Sequence, residues 1–324
     1  MQASEAALCE QDLFAPFVAA HKPPEAWRVG IEAEFFGVRA QDGAPLRYEE
    51  EAGVQTLFTR LTAQHGWQPL REHAAGPVVA LQQGGASITL EPGAQVELSG
   101  SPWADVHAVA AELAAHRQQL QTVGDALGVR WLGLGFHPWA TLEELGWVPK
   151  LRYAVMRRYL PTRGGRALDM MQRTCTVQVN LDYTNEQDAL RKMTVALRLQ
   201  PVVATLFANS PWLEGRFAGC RSERLQVWLD VDADRTGLLP FLWQGTPSYT
   251  RYVEWALDVP MFLIKRGAQV FANTGQSFRT FMREGFQGMH ATAADWQTHL
   301  NTLFPEVRLK QTLEIRGVDG QSAA

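Results

Sequence analysis

Residues 28–38 read RVGIEAEFFGV, and their alternation decides the fold. Val29, Ile31, Ala33 and Phe35 fall on one side. Gly30, Glu32, Glu34 and Phe36 fall on the other, the period of two that a strand imposes on its side chains. A strand in a doubly wound parallel sheet is apolar on both faces. Here one face is oily and the other carries two carboxylates, which predicts an antiparallel sheet with one face against a core.

The same alternation recurs along the chain. In TLEPGAQVELSG (89–100) a Pro-Gly turn precedes a segment in which Val96 and Leu98 oppose Gln95, Glu97 and Ser99. RTCTVQVNLDY (173–183) sets Val177, Val179 and Leu181 against Thr176, Gln178, Asn180 and Asp182. VRLKQTLEIRG (307–317) reads as one strand with Leu309, Leu313 and Ile315 against Lys310, Thr312, Glu314 and Arg316, and VRWLGLGF (129–136) is a further strand. Between them lie helical periods. One starts at the Ser101-Pro102 signal and runs to Gly128, a basic one covers 150–160, and a long one opens on a Thr184-to-Gln187 capping box and ends at Asn209 to Pro211. Shorter helices are expected over 248–258, 277–284 and 292–304. Strands with one polar face, joined by helices, define an α+β layout.

Composition narrows the function. The chain has 324 residues, a formal net charge of -4 and 46% hydrophobic residues, enough for a sizeable core. Lys and Arg are dispersed, so no footprint for nucleic acid is present. No stretch has the length and apolarity of a bilayer span. Cys9, Cys175 and Cys220 are odd in number and form no C-x-x-C pair, which excludes a disulfide framework or zinc knuckle and fits a reducing cytoplasm. The N-terminus has neither the basic start nor the apolar run of a signal peptide. With no internal repeat and no long linker, a single domain over 1–324 is expected. The sequence carries no reading of the oligomeric state.

Glu32, Glu34, Glu97 and Glu314 all fall on polar strand faces, with Glu91 beside a turn and Gln178 as a neutral oxygen donor. Taken singly, each glutamate reads as a solvated surface charge. Taken together, converging carboxylates would repel by roughly 4 kcal/mol for each pair about 4 Å apart at an effective dielectric near 20, which cations would relieve. Oxygen ligands without a Cys or His cluster favour Mg²⁺ or Mn²⁺ over zinc. Magnesium completes its shell with phosphate oxygens, so a nucleotide is implied, yet no Walker A motif is present. GLG at 133–135 runs into His137-Pro138 without completing a glycine-rich fingerprint. Metals, Lys and Arg would have to hold the phosphates.

VGIEAEFFG, GGASITLEPGAQVELSG, WVPKLRYAVMRRYLPTRGG, LDMMQRTCTVQVNLDY, LFANSPWLEGR, DADRTGLLPF, YVEWALDVPM and LFPEVRLKQTLEIRGVDG occur in this order over 28–320. They resemble the plant-type glutamate-cysteine ligases. The resemblance implies a glutamine synthetase-like catalytic core, a curved antiparallel sheet with helices on its convex side. It implies ATP- and magnesium-dependent joining of the γ-carboxylate of glutamate to the amine of cysteine, the first step of glutathione synthesis. It implies Glu32, Glu34, Glu91, Glu97, Gln178 and Glu314 as metal ligands, Gln178 standing where a related bacterial branch has a histidine. It implies Arg316, aided by Lys310, at the γ-phosphate, and Arg235 at a substrate carboxylate. Arg152, Tyr153, Arg157, Tyr252 and Trp255 would line the amino-acid pockets. Family members continue past the RG-x-DG motif into apolar helices, so the resemblance also implies a chain shortened at its C-terminus, with part of the sheet uncovered. Another acceptor amine, or a catalytically silent domain that binds nucleotide or glutamate, are the competing readings.

Overall fold

A computed structural model describes residues 8–322. The leader reading of residues 1–7 and the last two residues lie outside the described part. In chain order the elements begin with α1 (Ala15–Val18), β1 (Val29–Arg39), α2 (Val54–His65), β2 (Gln68–Arg71), β3 (Val78–Gln83), β4 (Ala86–Leu90) and β5 (Val96–Ser99). Then come α3 (Val106–Leu127), β6 (Val129–Leu132), α4 (Leu151–Tyr159), α5 (Ala167–Arg173), β7 (Thr176–Leu181) and α6 (Glu186–Leu206). A hairpin of β8 (Trp212–Leu213) and β9 (Arg216–Phe217) leads to α7 (Glu223–Trp228), β10 (Thr236–Gly237) and α8 (Tyr249–Asp258). The chain closes with β11 (Leu263–Arg266), β12 (Gln269–Ala272), α9 (Phe278–Glu284), α10 (Ala293–Leu300), β13 (Phe304–Pro305), β14 (Val307–Leu309) and β15 (Leu313–Asp319).

Nine strands form one sheet in the order β14-β15-β7-β1-β5-β4-β3-β2, with β6 on the second half of β1. Every pairing in it is antiparallel. The register puts Glu34 opposite Glu97 and Glu32 opposite both Ser99 and Gln178. Glu314 stands opposite Asn180. The polar face foreseen from alternation is therefore continuous across five strands, from Thr89 of β4 to Glu314 of β15.

On the opposite face Ala33, Phe35, Ile88, Val96 and Leu98 join one apolar cluster with Leu57, Phe58 and Leu61 of α2 and Leu120 and Val123 of α3. A second cluster joins Leu190, Met193 and Leu197 of α6 to Leu309, Leu313, Tyr252, Phe281 and Trp296. Each fully buried Leu or Phe contributes about 1.5–3 kcal/mol, so these two clusters hold the sheet from beneath. Along the outer flank of α6, Val177, Val179, Ile315 and Val318 line an apolar groove of about 550 Å³.

Several expectations change. The final strand is a hairpin, not one strand: the chain turns at Lys310 to Thr312, and Arg308 comes to lie opposite Glu314. α3 starts at Val106, because the Asp105 carboxylate caps the N–H groups of His107 and Ala108, both at 2.9 Å. α6 is capped by Asn185, whose side-chain oxygen accepts from the Asp188 N–H at 3.0 Å, and not by Thr184. β6 stops at Leu132. The strands β2 to β4 and the helix α2 were not anticipated. The turn in TLEPGAQVELSG does form, with Ala94 N–H donating to Glu91 O at 3.0 Å. Gly93 is required there, since a Cβ would stand 2.4 Å from the Gln172 carbonyl oxygen.

Among the described residues no helix is long and apolar enough to cross a membrane. Cys9, Cys175 and Cys220 are free thiols.

Candidate active site

A cavity of about 580 Å³ opens over the polar face of the sheet. Its floor is Glu32 and Glu34 of β1, Glu97 of β5, Gln178 of β7 and Arg316 of β15, with Glu91 from the β4–β5 turn. Its walls come from α4 (Arg152, Tyr153), α5 (Met170, Met171), α7 (Arg224, Trp228), the β11–β12 hairpin (Lys265, Val270) and β14 (Arg308).

At one end burial and mutual repulsion of the acids outweigh the cations near them. Glu34 is 7% and Glu97 8% exposed. Glu34 accepts the Thr176 N–H at 2.9 Å, and Glu97 accepts the hydroxyls of Thr89 at 2.6 Å and Ser99 at 3.2 Å. Glu32 accepts the Asn180 amide at 3.0 Å. Arg152 approaches Glu91 at 3.9 Å. Burial, followed by the charges of Glu91 and Glu97, drives Glu34 well above the usual carboxylate range. Burial and Glu91 raise Glu97. Burial, then Glu314 and Glu97, push Glu32 up to about 7. Nearby positive charge would return all three to the ionised form.

At the other end one acid is saturated. Glu314 is fully buried and accepts two bonds from Arg308, at 2.6 and 2.9 Å, and one from Arg316 at 2.9 Å, with Lys310 at 3.3 Å. Burial alone would raise it, but Arg308, Arg316 and Lys310 outweigh that and hold it well below the usual range. Gln178 gives its side-chain oxygen to Arg316 at 2.7 Å. Glu314 and Gln178, expected as metal ligands, here turn side-chain oxygens to the cation cluster. Among the described residues, no three His, Cys, Asp or Glu side chains stand together as a ready-made metal cage.

Of the expected substrate contacts, Arg152 and Tyr153 line the cavity. The Tyr153 hydroxyl donates to Leu90 O at 2.6 Å, and the Arg152 guanidinium lies 4.9 Å from the centre of the Tyr153 ring. Arg235, Arg157, Tyr252 and Trp255 are not brought to it. Arg235 is fully buried, donates to Asp232 at 2.7 Å, to Thr302 O at 3.1 Å and to Pro260 O at 2.6 Å, and stacks 3.8 Å from the Phe262 ring centre. Three of its N–H donors hold loops, and the side chain does not reach the cavity lining. Arg157 covers the Trp147 ring at 4.5 Å. Tyr252 donates to Leu309 O at 3.2 Å and Trp255 to Asp234 O at 3.1 Å.

Lys150, Arg224, Lys265 and Arg308 also line the cavity and were missed. Lys150 donates to Leu90 O at 2.7 Å, and burial followed by the charge of Arg152 lowers its pKa to about 8. Arg308 anchors Glu314. Arg224 is 4% exposed, donates through Nη2 to Arg316 O at 3.0 Å and keeps a buried Nε–H without a partner. Lys150 and Arg308 stand inside the quoted WVPKLRY and VRLK motifs. For Arg224 the signal was Ser222, an N-cap residue opening a short helix in the cavity wall.

Antiparallel strands carrying facing carboxylates beside a bank of Lys and Arg form a charged cavity in which acids and cations are segregated. The profile of the family described as Glutamate-cysteine ligase family 2(GCS2) matches residues 28–324. The chain belongs to that family. It is 43% identical to glutamate--cysteine ligase B, chloroplastic, of Oryza sativa subsp. japonica, over 97% of this chain and 63% of that protein. It is 42% identical to the chloroplastic enzyme of Brassica juncea and 41% to that of Arabidopsis thaliana, each over 97% of this chain and 60% of the relative. The chain thus spans 60–63% of the length of these relatives. A solved glutamate--cysteine ligase of Francisella tularensis in complex with AMP aligns with a TM-score of 0.49 at 12% identity, over 90% of this chain and 61% of that one. The family resemblance drawn from the motifs is borne out. The expectation of a cytoplasmic protein is overturned, because these plant relatives are chloroplastic.

Proposed function

We propose that this chain is the catalytic core of an ATP-dependent glutamate–cysteine ligase, working as one domain on the concave side of a curved sheet. The observation that carries the reading is the split cavity. An acidic trough of Glu32, Glu34, Glu91 and Glu97 lies beside a cationic bank of Arg308, Lys310, Arg316 and Arg224. Such a pairing suits a polyphosphate and its counter-cations, since each half repels itself without the other.

The donor set fits Mg²⁺ or Mn²⁺. All donors are carboxylate oxygens, burial and mutual repulsion raise Glu32, Glu34 and Glu97, and magnesium needs only one or two carboxylates besides substrate phosphates. Glu32, Glu34, Glu91 and Glu97 would hold the ions, which would neutralise charge on the phosphates.

In the ligation an oxygen of the glutamate γ-carboxylate attacks the γ-phosphorus of ATP, the P–O bond to ADP breaks, and a γ-glutamyl phosphate forms. The amine nitrogen of cysteine then attacks the acyl carbon, phosphate leaves with the C–O bond electrons, and the nitrogen loses a proton. This chain's residues bind, orient and stabilise charge, and no nucleophilic side chain is required. Arg316, fixed by Gln178 and Glu314, would face the transferred phosphoryl group with Lys310. The guanidinium groups of Arg224 and Arg152, both lining the cavity, would take substrate carboxylates.

The test is ADP release with ATP, Mg²⁺, glutamate and cysteine, each omitted in turn. Dependence on all four is expected. Undiminished release without cysteine would assign another acceptor amine, and no release with all four present would overturn the ligase reading.

A further inference from the structure

Asp319 lies at the end of β15, where it pairs with Thr176 on the polar face, and its side chain takes no part in the chemistry described above. It is 2% exposed. Its Oδ2 accepts the Asn209 N–H and the Ser210 hydroxyl, both at 2.7 Å, and its Oδ1 accepts the Ser222 hydroxyl at 2.8 Å. Both hydroxyls face onward. Ser222 Oγ caps α7 by accepting the Leu225 N–H at 3.1 Å, and Ser210 Oγ accepts the Arg224 N–H at 3.2 Å. Two of the three bonds therefore lead to the first turn of the helix that carries Arg224. On its far side the Arg224 guanidinium is held by Arg316 O. A Cβ on Gly135 would stand 2.3 Å from the Asp319 carboxyl carbon, so the backbone closes tightly around this group.

A carboxylate is needed here for a reason that an amide cannot meet. Both oxygens receive donors, and the N–H of Asn209 cannot reverse its polarity. Asparagine would turn its NH₂ either against that N–H or toward Ser222 Oγ, where the Ser222 O–H loses its acceptor and is left a buried, unmatched donor.

We propose that Asp319 is a positioning residue for Arg224: it clamps the Ser210 loop and the Ser222 cap so that the Arg224 guanidinium is held at the cavity wall, where it can take the substrate carboxylate. The proposal rests on the ligase reading for the identity of that substrate.

The experiment is a double-mutant cycle of Asp319→Asn and Arg224→Lys in the full chain, read as glutamate KM and kcat together with Tm and hydrogen exchange at the Arg224 and Leu225 amides. Asp319→Asn is expected to raise glutamate KM about 10- to 100-fold, the worth of a hydrogen bond to a charged group, with kcat changed far less. In the Arg224→Lys background the same change should add less than about twofold, because the two residues act as one unit. Fully additive losses, or a fall in Tm with KM unchanged, would reduce Asp319 to a structural clasp and overturn the proposal. If Asp319→Asn does not fold, Ser210→Ala removes one arm of the clamp and should shift KM in the same direction; no shift there overturns the proposal. If the unmutated chain releases no ADP, the ligase reading fails by itself, and exchange rates with glutamate binding still decide the clamp. Faster exchange confined to 222–226 together with weakened glutamate binding in Asp319→Asn supports it, and a change in exchange alone, or none, overturns it.

Discussion

Glu97 and Glu314 are the same residue type on the same face of the same sheet, yet their surroundings make them opposites. Glu97 receives two hydroxyls and faces another carboxylate across the strand pair. Glu314 receives Arg308, Arg316 and Lys310. One acid awaits positive charge and the other organises it. A carboxylate's task in a polar cavity follows from which charges surround it, not from its presence in a motif.

The sharpest way to break this contrast is Glu97→Gln. Turnover should fall by about a thousandfold or more if cation binding is lost, since oxygen donors at the reacting phosphates supply several kcal/mol. Tm should stay level or rise, because a buried repulsion is relieved. A clear loss of Tm would show that Glu97 is a structural acid like Glu314. For Glu314→Gln the expectation is a stability loss of about 3–5 kcal/mol, the usual cost of stranding buried partners of an ion pair. Chemical denaturation reads this, and stability equal to that of Glu97→Gln would erase the distinction.

A smaller effect separates the two ends by pH. Glu32 has its pKa raised from 4.5 to about 7, so in the cation-free protein its protonated form contributes stability that is fully present below pH 4.5 and lost as pH rises through about 7. Glu34 and Glu97 are shifted in the same direction. Glu314 is lowered, so its contribution is present above 4.5 and lost only as pH falls through its depressed value. Without metal, Tm should decline from pH 5 to pH 8, and millimolar Mg²⁺ should restore it at pH 8 with little effect at pH 5. An equal Mg²⁺ effect at both values would remove the trough as a cation site.

The acidic floor was legible because strand alternation is a local signal: Glu32, Glu34 and Glu97 each oppose apolar neighbours in their own strand. What lay beyond reach was long-range. β2 reads QPLR with every residue exposed, so it carries no alternation of burial to detect. The β14–β15 turn contains Lys310, Gln311 and Thr312, none of which announces a reversal as Gly, Pro or Asn would. Read as one strand, that stretch hid the pairing of Arg308 with Glu314 and made a saturated acid look like a free ligand. Arg235 was assigned from its motif, while Asp232 three residues earlier already offered the buried partner it takes.

β15 passes Ile315 opposite Val179 but Val318 opposite Val177, so one residue more is spent on this strand than on its neighbour. Gly317 occupies the irregularity, where a Cβ would meet the Gln200 amide at 1.8 Å. That supernumerary position works like a frame shift. It lets Glu314 and Arg316, on an even count, and Asp319, on an odd one, look out from the same side of one strand. Any change in length between Ile315 and Val318 would have to come in steps of two to keep Glu314, Arg316 and Asp319 in phase.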